Sequence, residues 1–171
     1  ANPLIDDAGY LRDVQESLRL RTARRVSEAE FIRMAGEPGT VVLDALRVPE
    51  FGTVQWREAP LGTVNQVLLV HDEGYVEGVR DALPRRGTYA LDTGDTMMSP
   101  GTWNAVMRCV GAACDAVDEV VAGRARNAFC ATRPCGHHAE ADRAMGFCVF
   151  NQAAIAALHA REAHGLQRVA V

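Results

Sequence analysis

The chain has 171 residues, of which 48% are hydrophobic and 23% are charged, and its formal net charge is −4. This composition excludes a largely disordered chain and suffices for one domain with a sizeable core. Because nucleic acids and anionic membranes select surfaces rich in Lys and Arg, neither is an expected partner. The apolar runs are shorter than the ~20 residues of a membrane span and no basic-then-apolar leader is present, which predicts a cytosolic protein.

The first quarter of the chain, residues 1–42, is predicted to be a helical segment of uncertain origin. Apolar residues recur at helical spacing over residues 6–21. Ser27 and Glu30 form a capping box ahead of a second short helix. A brief buried strand or the start of another helix follows at 40–43.

Two short helices are predicted next. Thr63 and Gln66 form a second capping box, which predicts a helix over 64–70. Asp72 is placed to cap the following helix. The apolar positions of that helix are Tyr75, Val76, Val79 and Leu83. The polar residues 91–96 then predict a loop.

The strongest helical signal begins at Ser99, a good N-cap, with Pro100 at the first helical position. Apolar residues recur at i, i+3, i+4 and i+7 from 103 to 121, so one broad face of this helix is expected to be buried. Gly123 suits the C-terminal cap.

The last third of the chain predicts a parallel α/β unit. The apolar run 127–132 is typical of a central strand, a helix is expected over 151–164 with Gly165 closing it, and 168–171 begins another strand. Strand, loop, helix and strand form a right-handed crossover. The predicted fold class is therefore α/β, a partial open parallel sheet flanked by helices. We expect it to be truncated after the strand at 168–171.

Two adjacent histidines, His137 and His138, follow the first of these strands in a loop rich in Pro and Gly. Such sheets bind ligands at the carboxyl ends of their strands, where this loop lies. Adjacent imidazoles suit acid/base chemistry near neutral pH, here facing a narrow apolar channel. Spacing alone leaves open that they are ordinary surface residues beside Glu140 and Asp142.

The five cysteines are odd in number and lie in apolar segments, which favours free thiols over a disulfide framework. Their spacing matches no zinc ribbon, so no structural metal is assigned to them. They are Cys109, Cys114, Cys130, Cys135 and Cys148.

The run Arg-Pro-Cys-Gly-His-His-Ala-Glu at 133–140, with Met-Gly-Phe-Cys-Val-Phe-Asn at 145–151, resembles the signature of the zinc-dependent histone deacetylase family. That family includes bacterial acetylpolyamine and acetoin-utilisation relatives. The resemblance extends upstream through 69–76 and 95–102, and it covers roughly 43–171 as one deacetylase-like domain. It implies an open parallel sheet of the arginase/deacetylase kind.

The resemblance also implies a reaction, the zinc-dependent hydrolysis of an acetyl amide in acetyl-lysine or a small acetylated amine. His137 and His138 match the tandem catalytic histidines, with His138 as the base toward water and His137 as electrostatic partner or proton donor. Gly146 and Phe147 match the wall of the acyl-lysine tunnel. Asp95 lies near the place where some family members hold the substrate backbone.

The zinc ligands of the family follow the strand that corresponds to 168–171, so none is assigned here. Zinc is implied by the resemblance but is not expected to bind this chain alone, which we expect to be an incomplete and inactive portion. One alternative is a non-catalytic assembly or binding fragment that forms a homo-oligomer or pairs with a complementing chain. A less favoured one is a sulfurtransferase, because 23–44 is faintly similar to the entrance of a rhodanese domain.

Overall fold

The computed structural model describes residues 54–171, together with Pro49. Contacts divide the chain between Gln55 and Trp56, and the second unit, Trp56–Val171, carries every helix and strand given below. The helices predicted within residues 1–42, the strand at 40–43 and the boundary after residue 42 lie outside the described part of the chain.

The described unit is mainly helical. Its elements in chain order are α1 (Val64–Val67), α2 (Glu73–Asp81), β1 (Tyr89–Ala90), β2 (Met97–Met98), α3 (Thr102–Val121) and α4 (Gln152–His164). Helices α3 and α4 make the most extensive contact between elements, and α1 also packs against α4.

The capping box that predicts α1 is confirmed. The Gln66 N–H donates to Thr63 Oγ1 at 3.2 Å, and the Thr63 N–H donates to Gln66 Oε1 at 2.8 Å. The helix ends at Val67 rather than at residue 70, and turns follow it. Asp72 precedes α2 as predicted, but its side chain accepts no capping hydrogen bond.

Helix α3 begins at Thr102, three residues after the predicted N-cap. Ser99 and Thr102 close a turn over Pro100, with the Ser99 N–H on Thr102 Oγ1 at 2.8 Å and the Thr102 N–H on the Ser99 carbonyl at 3.0 Å. Because the Ser99 carbonyl already accepts the Thr102 N–H within this turn, the regular helix starts only at Thr102. The predicted end is confirmed, since Gly123 has φ +70°.

Helix α4 agrees closely with its prediction. Asn151 is the N-cap, and its side-chain oxygen accepts from the Ala154 N–H at 3.0 Å. Gly165 follows the helix in the left-handed conformation, with φ +68° and ψ +20°. Both ends are therefore set by residues that the sequence singles out.

The strands differ from the prediction. Within residues 54–171 the paired strands are β1 and β2, which run antiparallel with Tyr89 opposite Met98. The segments 127–132 and 168–171, predicted as parallel strands, form no ladder there. A strand exists only when a neighbour accepts its backbone hydrogen bonds, and neither segment meets one among the described residues. Phe129 is accordingly 75% exposed.

The core lies between α1, α2, α3, α4 and the turn before α4. Its buried members are Val67, Val76, Val79, Met98, Val106, Met107, Val110, Cys114, Val149, Phe150 and Ile155. Phe150 is central, because its ring meets those of Tyr75 and Trp103 edge-on at centroid distances of 6.1 and 5.9 Å. No helix within residues 54–171 is both long and apolar enough to span a membrane.

Candidate active site

The paired histidines stand at the tip of a tight turn. The Ala139 N–H donates to the Gly136 carbonyl at 3.1 Å, which places His137 and His138 at the two central positions. Their ring centroids are 4.2 Å apart and the ring planes are inclined by 54°. Both side chains are exposed, and neither imidazole hydrogen bonds to another described residue. Each ring is therefore accessible to a bound molecule.

A second turn lies against this pair. Met145 and Cys148 exchange two backbone hydrogen bonds of 3.0 and 3.2 Å around Gly146 and Phe147. Both central residues have positive φ, +59° and +64°, as in the tightest hairpin turns. A Cβ on Gly146 would lie 2.8 Å from Cδ2 of His138, so only glycine lets the backbone approach that ring. Phe147 keeps a conformation that is uncommon for a bulky residue.

Asp95 reaches the same turn from the loop between β1 and β2. The Phe147 N–H donates to Asp95 Oδ1 at 3.3 Å across 52 residues of sequence. The loop is shaped by Asp92, whose carboxylate accepts from the Thr96 hydroxyl at 2.7 Å and from the N–H groups of Gly94 and Thr96, each at 3.0 Å. The bonds from Thr96 hold the pKa of Asp92 below its usual value.

A buried histidine and a partly buried asparagine hold the segment that follows the pair. The Asn151 N–H donates to Nε2 of His71 at 2.8 Å, so the other ring nitrogen of His71 carries the proton and donates to the Ala141 carbonyl at 3.2 Å. The Asn151 amide donates to the Ala139 carbonyl at 3.1 Å. Burial lowers the pKa of His71 and keeps its ring neutral.

The sequence assigns His71 no individual role, although within residues 54–171 it is one of two buried polar residues, the other being Thr96. The available signal was a histidine directly after the apolar run Leu68-Leu69-Val70. Asn151 is the last residue of the family-like run 145–151 and the predicted start of a helix, but the sequence assigns it no role in the site. Neither residue touches the imidazole pair directly, so both act as positioning residues for the loop.

Gly136 fixes the other end of the loop. A Cβ at this position would overlap the Phe150 carbonyl oxygen and the end of the Gln152 side chain. Gln152 stands where the family resemblance leads us to expect asparagine, and its amide donates to the Pro134 carbonyl at 3.1 Å. The turn is therefore packed directly against the entry to α4.

Cys135, which stands where the family resemblance leads us to expect proline, packs behind the pair with its Sγ 3.4 Å from Sγ of Cys148. Burial raises the pKa of the Cys148 thiol. All five cysteines are free thiols, as the sequence predicts.

Two cavities of the described unit lie away from the imidazoles. One of about 480 Å³ is bordered by α2, the β1–β2 loop and residues 142–144, and one of about 120 Å³ lies between α1, α2 and Trp103. Neither cavity is lined by His137 or His138. The Phe147 side chain is 56% exposed and so does not enclose a space in front of them. The narrow apolar channel expected in front of the pair is therefore not one of these cavities.

The described residues around the pair do not form a metal site. A set of at least three Asp, Glu, His or Cys side chains with converging ligand atoms occurs once within residues 54–171. Its members are Asp118, His159 and His164, on α3 and α4. Zinc, which the resemblance implies, thus finds no three-ligand set among the described neighbours of the pair.

Comparison with known proteins decides the family. The sequence profile of the histone deacetylase domain matches residues 37–171. The chain belongs to the histone deacetylase family. It is 40% identical over 118 residues to a histone deacetylase-like amidohydrolase of Pseudomonas aeruginosa and 39% identical over 107 residues to the human polyamine deacetylase HDAC10. These matches cover 69% and 60% of this chain.

The solved HD domain of HDA15 confirms the fold class, with a TM-score of 0.58 and 32% identity over 63% of this chain. The fold is that of an α/β deacetylase domain, although the sheet formed within residues 54–171 has two strands, β1 and β2. The chain spans 30% of the length of the bacterial deacetylase and of the HDA15 domain, and 16% of HDAC10. Family membership implies a zinc cofactor in general.

Proposed function

We propose that this chain carries the acid/base portion of an acetyl-amide hydrolase that acts on acetylated lysine or a small acetylated amine. One observation carries the proposal: residues from three separate stretches of the sequence meet at one surface. They are Asp95, His137, His138, Gly146 and Phe147, linked by the Asp95–Phe147 hydrogen bond and the Gly146–His138 contact.

The geometry supports a division of labour between the rings. In amide hydrolysis a water oxygen bonds to the carbonyl carbon, the C–N bond breaks, and the leaving nitrogen gains a proton. His138 is proposed to take the proton of the water, and His137, 4.2 Å away between centroids, to stabilise charge or supply the proton to the nitrogen. Their exposure without hydrogen-bond partners among the described residues leaves both rings available for these transfers.

The adjoining turn supplies the binding surface in this proposal. The exposed Phe147 ring offers an apolar wall for the methylene chain of an amine substrate. Asp95 Oδ1 accepts from the Phe147 N–H and keeps its second carboxylate oxygen for a substrate N–H or a cationic amine. Gly146 keeps this wall in contact with the His138 ring.

The described residues around His137 and His138 offer no set of three metal ligands. Full turnover is therefore proposed to need further groups that supply such a set. Purified chain would be assayed on acetyl-lysine peptide and on acetylspermidine, with and without added Zn²⁺. We expect binding without appreciable turnover, seen as NMR shifts at Gly146 and Phe147. Rapid turnover by this chain would contradict the proposal that further groups are needed. If neither Gly146 nor Phe147 showed an NMR shift, the proposed binding surface would be wrong.

The role of His138 has its own prediction. In whichever polypeptide shows turnover, this chain or a longer one that contains it, His138→Gln should lower kcat by about 10²- to 10⁴-fold, the usual contribution of a positioned base. KM should change much less. Glu162→Gln, a change to glutamine at an exposed position on α4, should leave kcat within about twofold of the parent. Equal losses in both variants would contradict a special role for His138.

A second candidate, an assembly fragment, is favoured by one observation. Phe129 is 75% exposed in the segment 127–132, which has no strand partner among the described residues. A homo-oligomer or a complementing chain would cover it. Light scattering after size exclusion tests this, because a stable monomer that remains soluble would argue against obligate pairing. The cytosolic location stays a prediction. The sulfurtransferase alternative, which is based on residues 23–44, also stays a prediction.

A further inference from the structure

Two imidazoles and a carboxylate converge on one point between α3 and α4. Nε2 of His159 lies 2.7 Å and Nε2 of His164 lies 2.6 Å from the same oxygen, Oδ1 of Asp118. All three ligand atoms are within 4.8 Å of one another. The ring centroids are 5.6 Å apart and the planes are nearly perpendicular, at 87°. We propose that Asp118, His159 and His164 bind a divalent transition metal, with Zn²⁺ as the preferred ion.

The donor chemistry selects this class of ion. Two imidazole nitrogens and one carboxylate oxygen suit Zn²⁺, Co²⁺ or Ni²⁺, whereas Mg²⁺ and Ca²⁺ prefer oxygen donors alone. With metal bonds of about 2.0–2.1 Å, tetrahedral ligand atoms stand roughly 3.3 Å apart. The present distances from the two nitrogens to the carboxylate oxygen, 2.7 and 2.6 Å, must therefore open by about 0.6–0.7 Å, which rotation of the side chains can supply.

The site is accessible on one side. The side chains of His159 and His164 are 13% and 24% exposed, and that of Asp118 is 41% exposed. An ion can therefore enter from solvent at the carboxylate and keep a water as its fourth ligand. Three protein ligands with one open position are a common arrangement for zinc.

The backbone that carries the ligands is regular helix. His159 and His164 lie in the last two turns of α4, which ends at Gly165 with φ +68°. The Gly165 N–H donates to the Arg161 carbonyl at 2.9 Å, so the last turn is closed rather than frayed. Asp118 is in the last turn of α3, the helix with the most extensive contact to α4.

Competing cations near Asp118 are already engaged. Arg57 forms a bidentate pair with Asp115 at 2.8 and 2.9 Å. Arg124 binds Glu119 through three contacts of 3.0–3.1 Å. Among the described residues, Asp118 is left with the two imidazoles as its partners. No arginine side chain therefore has to be displaced for a metal to bind.

Zinc binding would be measured on the full chain after removal of metal with a chelator, by calorimetric titration and by metal analysis after dialysis. Asp118→Asn, His159→Gln and His164→Gln should each lose one bound equivalent or weaken its affinity at least about tenfold. Asp115→Asn is the matched control, since it removes a carboxylate one turn away on the same helix, and it should bind as the parent does.

Spectra of the Co²⁺-substituted chain give a second readout that does not depend on stability. Visible absorption bands of a Co²⁺ site with nitrogen ligands should appear with the parent and with Asp115→Asn, and should vanish with His164→Gln. The proposal is overturned if Zn²⁺ does not bind, or if the bound equivalent is lost in His137→Gln and retained in His164→Gln. If the three side chains serve only to hydrogen bond α3 to α4, Zn²⁺ will not bind.

Discussion

The two histidine pairs of this chain use the same side chain in opposite ways. His137 and His138 stand exposed at the tip of a turn, and among the described residues neither ring has a hydrogen-bond partner. His159 and His164 both point at one oxygen of Asp118. Rings without hydrogen-bond partners are open to a substrate, whereas rings fixed on a carboxylate are arranged as ligands. The surroundings, more than the residue type, set the chemistry.

The pairs also differ in what positions them. His159 and His164 are held by a regular helix, whose hydrogen bonds are local. His137 and His138 depend on contacts made far away in the sequence, such as the bond between His71 and Asn151 across 80 residues. Changes to the distant supports should therefore disturb the loop pair and leave the helix pair intact.

The largest effect on the free energy of unfolding is expected from Gly136→Ala. The added Cβ would overlap the Phe150 carbonyl and the Gln152 side chain, and Phe150 is buried in the core and cannot retreat. We expect a loss of roughly 1–3 kcal/mol in the free energy of unfolding, as for other overpacked sites. Urea unfolding followed by circular dichroism measures it, with an unchanged m-value.

Gly78→Ala is the matched control for that change. Gly78 lies inside α2 and a Cβ there would meet nothing within 4 Å. Because alanine is the better helix former, this variant should gain up to about 1 kcal/mol. If both glycine variants lost similar stability, the loop at position 136 would not be clamped in the way the structure indicates.

A pH effect of intermediate size is expected at His71. Burial lowers its pKa below the ordinary value of 6.5, because the loss of water disfavours the charged ring. On acidification the unfolded chain takes up a proton that the folded chain resists, so the stabilisation is complete above about pH 6.5 and falls as the pH drops below it. Acid should thus weaken the support of the loop pair.

His71→Gln isolates this contribution. A glutamine amide can still donate to Ala141 and accept from Asn151, but it does not titrate. The difference in unfolding free energy between parent and variant should shrink as the pH is lowered from about 7.5 to 5.5. Stability curves that stay parallel over this range would mean that His71 is protonated equally in both states.

The sequence predicts the local features well and the distant ones poorly. The Thr63–Gln66 box and the two ends of α4 are hydrogen-bond patterns within a few residues, and all were found correctly. The segment 127–132 has the composition of a strand, but a strand also needs a neighbour, which composition cannot supply. Residue type thus predicts what a segment can form, and the surrounding chain determines whether it does.

The candidate site follows the same rule. His137, His138, Gly146 and Phe147 come from one stretch of the sequence, 133–151, so a resemblance of sequence alone can propose them as site residues. The hydrogen bond between Asp95 and Phe147 and the support from His71 depend on the tertiary fold. Their geometry could be obtained only from the structure.

The smallest expected effect lies at the helix pair. Burial alone would raise the pKa of Asp118, but the hydrogen bonds from His164 and His159 outweigh it and lower the pKa. With metal removed by a chelator, Asp118→Asn exchanges two charge-assisted bonds for neutral ones and should cost about 1 kcal/mol of unfolding free energy. Asp115→Asn breaks a pair with the exposed Arg57 and should cost less, because water and salt screen a pair at the surface. A thermal melt of both variants at matched pH compares them, and a larger loss at position 115 would mean that the imidazoles do not hold Asp118 as a fixed ligand.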